Sequence, residues 1–183
     1  MNPAPNLFLI GPMGAGKTTI GRRVAEHLSM PFHDLDHVIE ASTGVSIPII
    51  FEVEGESGFR KRERACLEQM VALEGIVLAT GGGAVLDADN RALLAARGFV
   101  VFLETTVEQQ LARLERDRKR PLLAAPDRRE RLEQMALVRN PLYREIGDLC
   151  LRASSDHVPK VTEELLQELD RLWRREHPAT AAA

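Results

Sequence analysis

The sequence predicts a three-layer α/β/α fold built on a five-stranded parallel sheet. Five short apolar runs have the length of buried strands: Leu7–Ile10, Pro31–His33, Ile76–Ala79, Phe99–Leu103 and Leu149–Leu151. Between them lie stretches whose apolar residues recur at helical spacing. The first run ends in a glycine-rich turn that opens onto one of those helical patterns. Strands alternating with helices argue for parallel pairing through right-handed crossovers, with helices on both faces. Such a sheet gathers the C-terminal ends of its strands along one edge, and chemistry is expected there.

Each element has its own justification. Leu7-Phe8-Leu9-Ile10 is uniformly apolar and runs into Gly11, as a buried strand entering a tight turn does. Ile20, Val24 and Leu28 repeat at i, i+4 and i+8, one face of a helix over Thr18–Leu28. Pro31-Phe32-His33 reads as a second strand that ends at Asp34. Ser46 followed by Pro48 marks a helix start, with Ser as cap and Pro in the first turn. Ala65, Cys66, Met70 and Leu73 carry a helix over Phe59–Leu73, and Ile76–Ala79 then runs as a strand into Gly81-Gly82-Gly83. A helix over Asn90–Ala96, the clear strand Phe99–Leu103 and a helix through Val107, Leu111 and Leu114 follow. Arg116–Arg131 is heavily charged and interrupted by Pro121 and Pro126, so it is expected to be a mobile loop leading into a helix. Leu149-Cys150-Leu151 is a weak strand, and Val161, Leu165, Leu169 and Trp173 form a last amphipathic helix. Residues His177–Ala183 are expected to fray.

The length of 183 residues suits one domain. With 44% hydrophobic and 28% charged residues, the chain can bury a sizeable core. Its net charge of -3 argues against a general nucleic-acid binder, which would be basic. No apolar stretch approaches the ~20 residues of a membrane span. Met1-Asn-Pro-Ala-Pro shows no positive run before an apolar core, so no signal peptide is expected. Cys66 and Cys150 are isolated thiols without zinc spacing, as suits a reducing cytosol, and a cytoplasmic location is expected. Of 24 basic residues 20 are Arg, so a Lys within a motif stands out.

Gly11-Pro-Met-Gly14-Ala15-Gly16-Lys17-Thr18 matches G-x-x-x-x-G-K-[ST], between a strand and a helix. Roughly 0.002 chance matches are expected in a chain of this composition and length, so the motif is specific. Its glycines let backbone N–H groups close around phosphate oxygens, and the helix N-terminus adds partial positive charge. Lys17 would reach the β- and γ-phosphates, and the Thr18 hydroxyl would ligate Mg²⁺. No N-K-x-D guanine motif is present, which counts against a GTPase. The strand Ile76–Ala79 ends in Thr80 and glycines rather than in Asp, so the magnesium needs another carboxylate.

Asp34-Leu-Asp36 offers that carboxylate. Alternate strand residues share a face, so both acids are expected to point into one site. One would sit near the magnesium and one could take a proton from a substrate hydroxyl. The flanking His33 and His37 invite a transition metal, but a nucleotide site favours Mg²⁺ and oxygen ligands. Gly81-Gly82-Gly83 would let backbone N–H groups approach an anion.

Taken together, the motifs resemble the shikimate kinase family, small kinases of the nucleoside-monophosphate-kinase fold. The resemblance spans Leu7 to about Leu172. It rests on the phosphate loop with Thr19-Ile-Gly-Arg22, Asp34-x-Asp36, Phe59-Arg60-x-x-Glu63, Gly81-Gly82-Gly83, Arg120-Pro-Leu and Arg139-Asn-Pro-Leu-Tyr143. It implies a P-loop kinase fold with a substrate-binding lobe over about 36–60 and a lid over about 116–126. It implies ATP contacts from Gly11, Gly14, Ala15, Gly16, Lys17, Thr18 and Thr19, with Arg113 near the adenine. Asp36 would bind the substrate hydroxyls and be the base, Lys17 and the lid arginine Arg120 would act at the transferred phosphoryl group, and Mg²⁺ would be held by Thr18 and, through water, by Asp34. Shikimate would be bound by Asp36, Arg60, Gly82, Gly83 and Arg139, with Glu63 supporting the arginines. The Arg-rich segment leaves Arg116 and Arg118 as alternatives to Arg120. A planar guanidinium fork suits the carboxylate of shikimate. A gluconate kinase is the neighbouring reading, since gluconate is also a hydroxy acid. A monomer acting on small molecules is expected, in aromatic amino-acid biosynthesis.

Overall fold

The computed structural model describes residues 4–114, 127–152 and 157–173. Arg120, its alternatives Arg116 and Arg118, the lid segment 116–126 and the tail 177–183 lie outside the described residues. Five strands form one parallel sheet: β1 (Asn6–Ile10), β2 (Phe32–Asp34), β3 (Val77–Ala79), β4 (Gly98–Glu104) and β5 (Leu149–Arg152). Their order is β2-β3-β1-β4-β5, so β1 is central, with Leu7 opposite Val77 on one side and Phe99 on the other. Among the described residues, seven α-helices connect and cover them: α1 (Lys17–Leu28), α2 (Leu35–Thr43), α3 (Ile47–Val71), α4 (Ala88–Arg97), α5 (Val107–Leu114), α6 (Arg128–Ile146) and α7 (Val158–Leu172).

The two faces of β1 explain why it is apolar from Leu7 to Ile10. Leu7 and Leu9 join Val77, Phe99 and Val101 beneath α1 and α7, where Val24, Val161, Leu165 and Trp173 pack. Phe8 and Ile10 join Leu78, Val100 and Phe102 on the other face, under Leu35 and Ile39 of α2, Leu67 of α3, Leu94 of α4 and Tyr143 of α6. A strand buried on both faces has no polar side to display. Its one polar residue, Asn6, is buried and used: Nδ2 donates to the carbonyls of Leu73 (2.7 Å) and Arg97 (3.3 Å), and Oδ1 accepts the Ile76 N–H (3.1 Å). Weak β5 is anchored from outside its own run, because Asp148 Oδ2 accepts the Val100 N–H at 2.8 Å.

Three local expectations need correction. Residues 35–43 form a helix, α2, that the sequence reading passed over. The helix expected to begin at Ser46 and the one expected over Phe59–Leu73 are one element, α3, broken at Gly55. Gly55 has φ 67° and ψ -175°, a region essentially closed to other residues. The break is bridged by Arg62, whose Nε and Nη2 both donate to the Glu54 carboxylate, at 2.6 to 3.1 Å. Ser46 does precede α3, but its side chain makes no capping bond. Glu40 Oε1 accepts the Ile47 N–H instead, at 3.0 Å. No described helix is long and apolar enough to cross a membrane.

Candidate active site

The C-terminal ends of β1, β2 and β3 open onto the phosphate loop, Asp34 and the glycine triplet. The phosphate loop needs its glycines. Gly11 has φ 141°, and a Cβ there would lie 2.6 Å from the Leu103 carbonyl oxygen, so no other residue fits. Gly16, at φ 92°, turns the chain into α1. Four successive carbonyls of the loop are engaged by side chains. Lys17 Nζ donates to Gly11 O (2.7 Å) and Pro12 O (2.9 Å), Gln110 Nε2 to Met13 O (2.8 Å) and Arg113 Nη1 to Gly14 O (2.9 Å). With its carbonyls tied to α1 and α5, the loop is pre-shaped to offer amide hydrogens to an anion. Arg113 thus stands at the rim of the loop. Ala15 and Thr19 flank it, and the Ala15 N–H donates to Pro12 O at 3.2 Å.

Gln110 was missed at the sequence level. It is buried, on the helix whose apolar face carries Leu114. A buried amide must be hydrogen-bonded, so a Gln between Val107, Leu111 and Leu114 was the available signal.

Asp34 and Asp36 do meet at one site, though not by strand alternation. Asp34 is the last residue of β2 and the N-cap of α2, and Asp36 lies in the first turn of that helix. Asp34 Oδ1 accepts the Asp36 N–H at 3.1 Å, while Oδ2 accepts the Thr18 hydroxyl at 2.6 Å. Thr18 and Asp34 therefore form a pair of hard oxygen donors beside the phosphate loop, a set that fits Mg²⁺. His37 Nδ1 lies 3.5 Å from Asp34 Oδ1 and is largely exposed.

The glycine triplet lets side chains in. A Cβ on Gly81 would lie 2.7 Å from Glu63 Oε1 and 3.2 Å from Asp36 Oδ1. One on Gly83 would lie 2.4 to 2.7 Å from three guanidinium atoms of Arg60. One on Gly82 would lie 3.4 Å from Met13 N, so the triplet also touches the phosphate loop. What the absence of side chains on these glycines makes room for in the structure is Asp36, Glu63 and Arg60.

Arg60 Nη1 donates to Glu63 Oε2 (2.8 Å) and Nη2 to Glu56 Oε1 (3.0 Å), with the guanidinium over the Phe59 ring. Glu63 is 1% exposed, and its Oε1 has no hydrogen-bond partner. Burial pushes its carboxyl above the usual range, with Asp36 adding to this, against the pull of Arg60 and Arg139. Burial opposes the charge on Arg60, but Glu63 and Glu56 outweigh it and hold the guanidinium above its ordinary value. Arg139 arrives from α6, is 8% exposed and donates from Nη1 to Gly82 O at 3.4 Å. Beside it lies a small cleft lined by Pro12, Met13, Gln110, Leu132, Met135, Ala136, Arg139, Asn140 and Tyr143. Cys66 is buried and Cys150 exposed, both as free thiols.

A sequence model of the family described as "Shikimate kinase" matches residues 13–170. A shikimate kinase from Stenotrophomonas maltophilia is 53% identical over 176 residues, covering 96% of this chain and 98% of its own length. A solved shikimate kinase from Acinetobacter baumannii, in complex with shikimate, superposes with a TM-score of 0.89 at 46% identity, covering 92% of this chain and 94% of that one. A gluconokinase from Sinorhizobium meliloti superposes with a TM-score of 0.62 at 16% identity, covering 94% of this chain and 95% of its own; that likeness shows a shared fold. The chain belongs to the shikimate kinase family, ATP-dependent kinases that act on an alcohol group.

Proposed function

We propose that the chain transfers the γ-phosphoryl group of ATP to the 3-hydroxyl of shikimate, giving shikimate 3-phosphate and ADP. The observation that carries this is the convergence on three glycines. Arg60 lies against Gly83, Arg139 donates to Gly82, Asp36 and Glu63 crowd Gly81, and the phosphate loop touches Gly82. A carboxylate-binding pair of arginines, an acid for a hydroxyl and a phosphate cradle thus share one short segment.

In this reading Arg60 and Arg139 hold the acceptor carboxylate by charge-assisted hydrogen bonds. Asp36 orients the 3-hydroxyl and takes its proton as that oxygen bonds to the γ-phosphorus and the bond to the ADP oxygen breaks. Gly11, Gly14, Ala15, Gly16, Thr18 and Thr19 bind the phosphates, and Lys17 neutralises charge on the group in flight. Thr18 and Asp34 would hold Mg²⁺, which supplies further neutralisation of the phosphate charge. Arg113 flanks the adenine. Arg120, which lies outside the described residues, would complete the charge clamp on the transferred group. The lobe 36–60 moves with the acceptor, within a single-domain monomer working on small molecules in the cytosol.

A coupled ADP-release assay with shikimate, gluconate or no acceptor tests the proposal, with and without a magnesium chelator. Release that depends on shikimate and on magnesium is expected. Equal release with gluconate, or none with shikimate from folded protein, overturns it.

A further inference from the structure

We propose that Tyr143 is a positioning residue for acceptor binding: its hydroxyl occupies the Gly82 carbonyl and so leaves the Arg139 guanidinium to the substrate carboxylate. The inference rests on the reading of Arg139 as a carboxylate partner and goes one step behind it.

Tyr143 is fully buried and stacks on Phe102, with ring centroids 4.9 Å apart. Packing alone would be served by Phe. The hydroxyl has a specific use instead, because it donates to Gly82 O at 2.5 Å. Arg139 lies one helical turn earlier on the same face of α6, and its Nη1 reaches the same oxygen only at 3.4 Å. Two donors from one helix thus address one acceptor, and the neutral one holds it closely. A carbonyl that loses its near partner draws in the next available donor. Here that donor is the Arg139 guanidinium, which would turn toward Gly82 and away from the cleft that it lines. Gly82 also abuts Met13 N of the phosphate loop and precedes Gly83, against which Arg60 lies. The same hydrogen bond therefore steadies the segment shared by both arginines.

The test is Tyr143→Phe, which keeps the stacked ring and removes one oxygen. With the hydroxyl gone, KM for shikimate is expected to rise about tenfold, while KM for ATP and kcat stay within about threefold. In an Arg139→Ala background the same change should add less than about twofold, since the two side chains act as one unit. An unchanged KM for shikimate, an equal rise for both substrates, or full additivity with Arg139→Ala overturns the proposal. So does a Tyr143→Phe protein that fails to fold, which would make the hydroxyl a structural bond. If Arg139→Ala alone leaves KM for shikimate unchanged, the failure belongs to the site reading underneath.

Discussion

Gly83→Ala separates substrate geometry from fold stability. Gly83 sits at φ -101° and ψ -4°, at negative φ, where alanine is permitted. The added methyl carbon would lie 2.4 Å from Arg60 Nη2, 2.5 Å from Nη1 and 2.7 Å from Cζ. The guanidinium must retreat by about 1 Å to reach ordinary van der Waals contact. It is the far end of a flexible side chain, so the fold can yield there cheaply. What cannot survive the retreat is its alignment, including the 2.8 Å bond to Glu63. A hydrogen bond to a charged group contributes about 1.5–3 kcal/mol, so KM for shikimate should rise about 10- to 100-fold. The ATP side should be spared, because the phosphate loop meets the triplet at Gly82. Steady-state ADP release with each substrate varied in turn, beside a thermal melt, gives the answer. An unchanged KM for shikimate in folded protein would show that Arg60 does not hold the acceptor from its place against Gly83. An equal loss for ATP would show that the triplet acts as one structural unit.

Three further outcomes follow from the same geometry. Lys17→Ala should cut kcat by about 10²–10³ with little change in the melting temperature, because Lys17 braces two loop carbonyls and supplies charge rather than packing; near-normal turnover would refute its role. Asp36→Asn should lower the limiting rate about 10²–10⁴-fold while ATP affinity, measured by equilibrium titration, holds; a lost affinity for shikimate at unchanged kcat would make Asp36 a binding residue only. Tyr143 is the chain's sole tyrosine, and burial pushes its phenol up to about 12, against a lowering pull from Arg139. Its phenolate absorbance should therefore appear two units later in the folded than in the unfolded protein. Since the unfolded chain releases that proton first, stability should fall as pH rises from 10 to 12, by about 2–3 kcal/mol in all. A midpoint near 10 in folded protein would place the ring in solvent.

The sheet was legible because parallel strands buried on both faces are apolar at every position, and β1, β3 and β4 each show such a run. The phosphate loop was legible because its residue types are dictated by backbone geometry at fixed spacing. α2 was not, since only Leu35 and Ile39 of its nine residues are buried and it ends in Ala41-Ser42-Thr43 before Gly44. That omission misassigned the geometry of Asp36 while leaving its location correct. Gly55 was equally silent, because a left-handed break within a helix looks the same in sequence as a tolerated glycine. The arginines were found only through motif placement, since periodicity does not distinguish Arg60 and Arg139 from the other eighteen. The contacts that tie them to the glycines are long-range, joining α3 and α6 to the loop after β3, and no local pattern encodes them.

Selectivity at this site cannot come from charge alone. Shikimate and gluconate each carry one carboxylate, so under the proposed reading of Arg60 and Arg139 the two arginines would attract either. The difference has to be geometric. Arg60 is fixed by Glu63, Glu56 and the face of Gly83, and Arg139 is carried on a helix stacked against the sheet through Tyr143 and Phe102. Cations held this way offer their donors in one arrangement. A ring with its carboxylate and hydroxyls at fixed angles meets that arrangement without losing internal freedom. An open-chain hydroxy acid must freeze several rotors to do so, at about 0.5–1.5 kcal/mol each by analogy with immobilised side chains. Rigid arginines therefore convert a shared electrostatic attraction into a preference for the ring. Loosening either arginine should erode discrimination between acceptors as well as affinity for the better one.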